Sequence, residues 1–161
     1  MKYGKYEYER SYLLDSDCLR DKDVKETKKI TDKYLSDTKL RLRVVVKNKE
    51  TIYKLTQKEE LNPAKKGILK INTLYLSQAE FEKINIIEGI EIEKTRHLIE
   101  IDQIKIGVDR INLNGKELFI AEVEFETEVE MNTFSMPLPH MKEITGIEKY
   151  SGYEIAKEYS N

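Results

Sequence analysis

Charged and apolar residues alternate along four stretches of the chain. Successive side chains of a β-strand point to opposite faces, so each stretch would place its charges on one face and its apolar residues on the other. Several such strands in one sheet would gather acids and bases on a shared surface. The charged positions are Glu7 and Glu9, Arg41 and Arg43, Lys54 and Lys58, and Glu122, Glu124 and Glu126.

Between these stretches the pattern predicts turns and a few helices. The hydrophobic runs on either side of Lys47 to Glu50 predict a hairpin with Asn48 near its turn, and Asn114-Gly115 predicts a second tight turn. Ser77 is a candidate N-cap with Glu80 three residues later, which predicts one short helix. The polar interval from residue 15 to 29 predicts a loop or mobile surface segment. The sequence from residue 143 to 159 is compatible with a helix.

Length, charge and cysteine content limit the class of protein. The 161 residues predict one domain over residues 1–161. Lys and Arg number 28 against 30 Asp and Glu, a net charge of -2, which argues against a general nucleic-acid binder. Cys18 is the single cysteine, so an intrachain disulfide and a cysteine zinc cluster are excluded. With no apolar signal region or membrane-length segment, we expect a soluble cytoplasmic protein.

The charged strand faces have two interpretations. The simpler one is a solvated sheet face with weak cross-strand ion pairs. Two features favour a site instead: the opposite faces are apolar enough to pack under helices, and acids and bases segregate by strand. Separate acidic and basic walls suit a ligand with anionic groups and divalent cations, since Mg²⁺ prefers carboxylate oxygens while Arg and Lys bind phosphate oxygens. The apolar faces include Leu40, Leu42, Val44 and Val46, and Ala121, Val123 and Phe125.

The order of these motifs resembles the CYTH superfamily, the triphosphate tunnel metalloenzymes. Glu7-Tyr8-Glu9-Arg10-Ser11 is similar to the family's N-terminal E-x-E-x-K signature, and six further pieces follow in the family's order over nearly the whole chain. Each piece alone is common, but seven in this order are hard to obtain by chance. The later pieces are Asp32-Lys33-Tyr34-Leu35, Arg41-Leu42-Arg43, Thr56-Gln57-Lys58, Lys94-Thr95-Arg96, Asp109 with Ala121-Glu122-Val123-Glu124-Phe125, and Glu143-Ile144-Thr145-Gly146.

The resemblance implies an α+β fold with a closed antiparallel β-barrel of about eight strands, charged faces inward and helices outside. It implies a cofactor, Mg²⁺ or Mn²⁺, with one ion bridging phosphate oxygens and a second orienting the nucleophile. It also implies that Tyr34 and Lys58 form a catalytic pair that activates water, Lys58 having a pKa lowered by neighbouring cations. The implied metal residues are Glu7, Glu9, Asp109, Glu122 and Glu124. The implied triphosphate residues are Arg41, Arg43, Lys58, Lys94 and Arg96.

One position departs from the family pattern. Ser11 stands where the signature has its lysine, on the face of Glu7 and Glu9, while strand parity turns Arg10 to the other face. Loss of this cation would weaken triphosphate binding, change substrate preference or leave the domain inactive. Our hypothesis is that Lys54 compensates, because it has the parity of Lys58 and would project into the same space.

Three functions follow as alternatives. The first is a divalent-metal-dependent hydrolase of an inorganic or organic triphosphate, of the tripolyphosphatase, thiamine-triphosphatase or nucleoside-triphosphatase type. The second is a class IV adenylate cyclase, although nothing in the sequence plainly builds an adenine pocket. The third is a non-catalytic module that binds polyphosphate or nucleotides, which Ser11 supports. The predicted partner is a small-molecule triphosphate, with neither nucleic acid nor membrane, and a homodimer is allowed. His97 and His140 are expected to be structural or surface residues.

Overall fold

Eight antiparallel strands close into a barrel in the computed structural model, which describes residues 4–62 and 64–159. Around the barrel the order is β1-β5-β4-β3-β2-β6-β7-β8, and β1 closes it by pairing with β5 through its first half and with β8 through its second. The predicted closed barrel is confirmed. The strands are β1 Lys5–Leu14, β2 Val24–Leu35, β3 Leu40–Lys47, β4 Glu50–Glu60, β5 Ile68–Leu76, β6 Gly89–Ile101, β7 Ile104–Leu113 and β8 Lys116–Phe125.

The two predicted hairpin turns are confirmed. Asn48 and Lys49 link β3 to β4 with φ of 47° and 71°, and Asn114 and Gly115 link β7 to β8 with φ of 53° and 89°. Two consecutive residues with positive φ have the backbone twist that suits a two-residue hairpin, and Asn and Gly adopt it at low cost.

Three short helices accompany the barrel. The first, α1 (Gln78–Ile84), begins at the predicted cap, where Ser77 and Glu80 form a reciprocal capping box. The second, α2 (Glu128–Thr133), has the same device at Thr127 and Glu130. The C-terminal region predicted as one helix is instead a two-residue strand β9 (Lys142–Glu143) on β1, a 3₁₀-helix (Glu148–Tyr150) and α3 (Gly152–Tyr159). Within the described part of the chain, no helix is long and apolar enough to cross a membrane.

The predicted loop from residue 15 to 29 is wrong in its second half. The strand β2 begins at Val24 and pairs with β6 from there onward. Apolar residues are sparse in this segment because its inward positions, such as Lys28, line a charged interior, so the usual apolar mark of a strand is missing.

Strand register determines which side chains point inward. Residues directly opposite in an antiparallel pair share a face, and Arg41 lies opposite both Tyr34 on β2 and Thr56 on β4. The same rule places Glu9 opposite Glu124 and Arg96 opposite Asp109. The alternating charges therefore point into the barrel.

The apolar outer faces of β1, β6, β7 and β8 form one core. Tyr12 on β1, Val108 on β7 and Val123 on β8 are almost fully buried, and Leu138 and Phe134 of the segment after α2 pack over them. This layer covers the predicted apolar face of β8. This core keeps the strands together, because close-packed protein interiors resist displacement. The charged interior lies on the other face of the same strands.

A second apolar cluster closes one end of the barrel from inside. Ile92, Ile111 and Ile120 have inward parity, and Ile155 and Ala156 of α3 pack against them. We call this cluster, completed by Leu113 and Ile144, the plug. The helix α3 thus sits across a barrel end, whereas the resemblance predicted helices packed outside. The charged interior lies beyond the plug, between the other halves of the strands, and we call it the cup.

Candidate functional site

A charged cavity of about 740 Å³ occupies the open half of the barrel. Of the described residues, eight basic and five acidic side chains line it, a net charge of +3 in a chain whose net charge is -2. The cavity is therefore an anion-attracting site with a carboxylate-rich side. The basic residues are Lys5, Lys28, Arg41, Arg43, Lys47, Lys54, Lys58 and Arg96, and the acidic residues are Glu7, Glu9, Glu50, Glu122 and Glu124.

Nine of the twelve predicted site residues line this cavity and three do not. Tyr34 belongs to the plug side, while Lys94 and Asp109 form an ion pair beneath the cavity wall, with only 11% and 2% of their side chains exposed. The roles assigned to the individual residues stay predictions, but strand parity alone brought most of them to one place.

The acidic wall is built by β1 and β8 around one lysine. The Lys58 ammonium lies 2.7 Å from Glu9 and 3.2 Å from Glu7, and Glu9 is the cross-strand neighbour of Glu124. Burial raises the pKa of Glu9, the charges of Glu122 and Glu7 raise it further, and Lys58 opposes this shift. The carboxylates are thus close enough to repel one another, and one lysine does not fully neutralise them.

The pKa of Lys58 has the opposite direction from the predicted one. Burial alone would lower it, but the charges of Glu9, Glu7 and Glu122 raise it above its ordinary value. Lys58 faces carboxylates and not cations, which is why the expected depression is absent. In this arrangement Lys58 is an ammonium group that donates hydrogen bonds.

A second cluster joins β6, β7 and β8. Arg96 donates to Asp109 at 2.6 and 2.7 Å and also to Glu122, and Lys94 donates to Asp109. Although burial opposes it, Arg96 and the nearby lysines hold the pKa of Glu122 well below its usual range. Asp109, predicted as a metal ligand, uses its carboxylate to hold these two cations.

A third cluster supports the basic wall from below. Asp32 is fully buried and accepts two hydrogen bonds from Arg43, at 2.5 and 2.7 Å. Despite burial, which acts the other way, these bonds and the charge of Arg41 lower the pKa of Asp32 to about 2. Asp32 belongs to a predicted motif but had no predicted role. Because Asp32 is two residues from Tyr34 on a strand, the two share a face, and this could have indicated that Asp32 points inward towards Arg43.

Arg41 has a buried donor that makes no hydrogen bond. Its Nε atom is buried without a hydrogen-bond partner in the described structure and lies 3.7 Å from Asp32. A buried donor left unpaired is costly, and such groups are expected where a ligand or water completes the site. Arg43 already binds Asp32 in bidentate fashion, so Arg41 has the greater free capacity for an anion.

Tyr34 lies between the basic wall and the plug. Its ring meets that of Tyr153 at 5.9 Å, edge to face, and its hydroxyl lies so close to Gly152 that a Cβ atom there would be 2.0 Å away. Burial raises the pKa of Tyr34. Tyr34 and Lys58 lie on strands separated by β3, and no hydrogen bond joins them among the described residues. Their predicted action as a pair stays a prediction.

Ser11 and Lys54 occupy different parts of the interior. Ser11 lies opposite Glu122, whereas Lys54 lies opposite Arg43 and Tyr75, with its ammonium 4.9 Å from the centre of the Tyr75 ring. Arg96, which contacts Glu122, passes over Gly107, where a Cβ atom would be only 3.3 Å from the arginine. The cation nearest in register to Ser11 is thus Arg96.

The carboxylates fit a hard divalent cation as partial ligands. No group of three acidic, histidine or cysteine side chains in residues 4–62 and 64–159 forms a ready-made metal site. Glu7, Glu9, Glu122 and Glu124 nevertheless line one cavity and supply only oxygen donors. Mg²⁺ characteristically binds to one or two carboxylates and takes its other ligands from phosphate and water. The donor set suits Mg²⁺ or Mn²⁺ bound together with a phosphate ligand.

Comparison with known proteins bears on the fold. No family model and no curated protein sequence matches the chain. Solved structures do match. The inorganic triphosphatase NE1496 matches at 21% identity with a TM-score of 0.58, over 93% of each chain. The PH1819 protein from Pyrococcus horikoshii OT3 matches at 18% identity with a TM-score of 0.59, over 78% of this chain and 82% of that one. A Bacillus halodurans protein given the provisional name of adenylate cyclase matches at 16% identity and 0.54, over 80% and 85%. The chain therefore shares the fold of these structures, and the closed barrel that its motifs predicted is confirmed.

Proposed function

We propose that the protein is a divalent-metal-dependent triphosphatase that hydrolyses an inorganic or organic triphosphate in the cup. The observation that carries the proposal is the buried Arg41 Nε atom, which makes no hydrogen bond, in a cavity of net charge +3. An excess of cations beside four carboxylates suits a ligand that is itself anionic and arrives with a metal ion. The structural relative NE1496, named an inorganic triphosphatase, supports the proposal through its fold.

Binding would depend on the basic wall of β3 and β4. Arg41 and Arg43 present guanidinium groups, whose forked N–H donors match phosphate oxygens, and Lys54 adds a flexible ammonium. Asp32 fixes the orientation of Arg43 from below, so this donor is positioned before the ligand arrives. Such preorganisation lowers the entropic cost of holding the substrate.

The acidic wall would hold the metal ion through Glu7, Glu9, Glu122 and Glu124. A bound divalent cation supplies neutralisation of phosphate charge. Lys58 neutralises part of the same wall and, as an ammonium, donates to a phosphate oxygen when its carboxylate partners engage the cation. Asp109 would act as a positioning residue, because its carboxylate holds Lys94 and also holds Arg96, which lines the cavity.

The reaction itself requires little covalent help from the protein. The oxygen of a water molecule forms a bond to the terminal phosphorus, the bond from that phosphorus to its bridging oxygen breaks, and orthophosphate and the shortened phosphate chain are released. Arginine and lysine donors around the phosphate stabilise the charge that develops in the transition state. We keep Tyr34 and Lys58 as the proposed catalytic pair, with one change: as an ammonium, Lys58 would donate a hydrogen bond to the substrate and would not remove a proton from the water.

Product analysis tests this function. Purified protein is incubated with tripolyphosphate or with ATP, in the presence of Mg²⁺ or Mn²⁺, and the products are separated by ion-exchange chromatography. We expect orthophosphate, and we expect the rate to fall at least tenfold in Arg41→Ala but to stay within twofold in the surface variant Lys39→Ala. Cyclic AMP with pyrophosphate would identify a cyclase. Tight binding without turnover under either metal would identify a binding module.

A further inference from the structure

An apolar strip interrupts the mostly charged wall of the cup. Ile30 on β2, Val45 on β3 and Ile52 on β4 lie directly opposite one another across the sheet and all line the cavity. Tyr75, at the end of β5, lines the cavity beside them and lies opposite Lys54. We call these four residues the apolar strip.

The outer part of the strip is exposed. Tyr75 is 71% and Ile52 40% exposed, whereas Val45 and Ile30 are buried in the wall behind them. Scattered exposed hydrophobic residues are ordinary on protein surfaces, and Leu74, which is 63% exposed on the outer face, is one of them. Tyr75 differs because it lines the cavity that carries a net charge of +3.

A ligand consisting only of phosphate has no group that would cover this strip. Phosphate oxygens are satisfied by the cations and would gain nothing from isoleucine or from an aromatic face. A flat organic head group would cover the strip, and every nucleobase can stack favourably on an aromatic ring.

We propose that the cup takes an organic triphosphate with an uncharged aromatic head group, a nucleoside triphosphate, whose base packs on Tyr75 and Ile52. The proposal rests on the proposed function, and it adds the substrate class. It also makes Tyr75 a specificity-determining residue, since its ring contacts the head group and not the phosphates.

The spacing of the two parts agrees with such a ligand. Lys58 and Lys54 are four residues apart on β4, about 13 Å along a strand. Tyr75 lies opposite Lys54, while Lys58 contacts the carboxylates of Glu7 and Glu9. The terminal phosphate and metal can thus occupy the Lys58 side while the base occupies the Tyr75 side.

Charge around the strip favours a neutral head group over a cationic one. The Lys54 ammonium lies over the Tyr75 ring at 4.9 Å, so a second cation there would be repelled. Glu50, the acidic residue at this rim, lies opposite Lys47. A thiamine-type triphosphate, whose thiazolium carries a positive charge, is therefore disfavoured relative to a nucleotide.

The test compares three substrates on four proteins. Steady-state kinetics with Mg²⁺ are measured for ATP, thiamine triphosphate and tripolyphosphate on the wild type, Tyr75→Ala, Tyr75→Phe and the matched outer-face control Leu74→Ala. We expect Tyr75→Ala to raise the KM for ATP about tenfold and to leave the KM for tripolyphosphate within twofold. Tyr75→Phe, which keeps the ring, and Leu74→Ala should resemble the wild type.

Three outcomes would overturn the proposal. Equal effects of Tyr75→Ala on ATP and tripolyphosphate, or no effect on either, would show that the ring does not contact a head group. Turnover of tripolyphosphate without turnover of ATP, or preference for thiamine triphosphate over ATP, would end the nucleotide assignment while leaving the triphosphatase function intact. Failure of the wild type to bind or hydrolyse any of the three would overturn both.

Discussion

The two halves of the barrel interior are built by the same strands from opposite chemistry. On β8, Ile120 belongs to the plug and Glu122 to the cup; on β6, Ile92 belongs to the plug and Arg96 to the cup. Two residues on β8 and four on β6 thus separate an apolar part of the interior from a charged one. Because both halves share strands, the plug fixes the position of the charges.

The plug stabilises the fold, and the cup is the proposed binding site, so stability and ligand binding depend on different halves of the interior. Burial of isoleucines in the plug stabilises the fold by about 1.5–3 kcal/mol per side chain. Partly buried charges such as Glu9 and Arg41 cost free energy in the absence of a ligand, since desolvation is only partly offset by their partners. Changes in the plug should therefore act on folding, and most changes in the cup should act on binding, with Asp32 as the informative exception.

The largest expected effect is the loss of Asp32. Asp32→Ala removes the partner of Arg43 in a fully buried ion pair, so we expect the free energy of unfolding to fall by about 3–5 kcal/mol. Urea denaturation followed by circular dichroism measures it, with the exposed Asp15→Ala as the control, expected within about 0.5 kcal/mol of wild type. A loss below about 1 kcal/mol would contradict the view that Asp32 supports the basic wall.

Truncation in the plug comes next. Ile111→Ala removes a side chain that is 3% exposed, and we expect a loss of about 2–4 kcal/mol in the free energy of unfolding. The same change in Ile86, which is 85% exposed, should have almost no effect. At temperatures where the variant is folded, kcat for a triphosphate should stay within threefold of wild type. A selective loss of kcat without destabilisation would join the plug to the site.

Arg41 tests the opposite half. Arg41→Ala should lower kcat/KM for tripolyphosphate about 100-fold, equivalent to about 3 kcal/mol of lost transition-state stabilisation. The free energy of unfolding should stay within about 1 kcal/mol of wild type, because the Nε atom of Arg41 makes no hydrogen bond, its ion pair with Asp32 is long at 3.7 Å, and Arg43 would still pair with Asp32. If instead the variant were destabilised as much as Asp32→Ala, Arg41 would be a structural residue.

Acid should lower the free energy of unfolding by protonating Asp32. Its pKa falls from an ordinary 3.8 to about 2 in the folded protein, so its contribution is complete above pH 4 and is lost as the pH falls towards 2. We expect about 2 kcal/mol of stability to be lost over this window and the slope to be smaller in Asp32→Asn, as measured by urea titrations at several pH values. Identical pH slopes in both proteins would refute this assignment.

The smallest expected effect concerns the missing signature lysine. Under the compensation hypothesis, Lys54→Ala should raise the KM for tripolyphosphate about threefold to fivefold, with kcat within twofold of wild type. Adding Ser11→Lys to this variant should restore part of the affinity. Unchanged affinity and turnover in Lys54→Ala would end the hypothesis, and Arg96, the cation closer in register to Ser11, would take its place.

Much of the fold and of the lining of the cup could be predicted because strand parity is a local property. Glu7 and Glu9, or Arg41 and Arg43, share a face whatever strand pairs with them. The loop predicted up to residue 29 was wrong for a different reason. Strand β2 has charged residues on its inward face, so it lacks the alternating apolar residues by which a strand is usually predicted.

The pairing of charges could not be predicted from parity. Lys58 meets Glu9 from 49 residues away, and Arg96 meets Glu122 from 26 residues away, so both contacts depend on how the barrel closes. This is why the pKa direction expected for Lys58 was wrong and why the task of Asp32 was missed. The plug was missed because α3 is only eight residues long and gains its stability from tertiary packing.

The most direct test of the cup as a triphosphate site is a crystal structure of the protein with tripolyphosphate and Mn²⁺, using anomalous scattering to locate the metal. We expect phosphate oxygens within hydrogen-bond distance of the Arg41 and Arg43 guanidinium groups. We also expect a Mn²⁺ peak at the carboxylates of β1 and β8 inside the same cavity. An anion and metal bound elsewhere on the surface, with the cup containing only water, would contradict it.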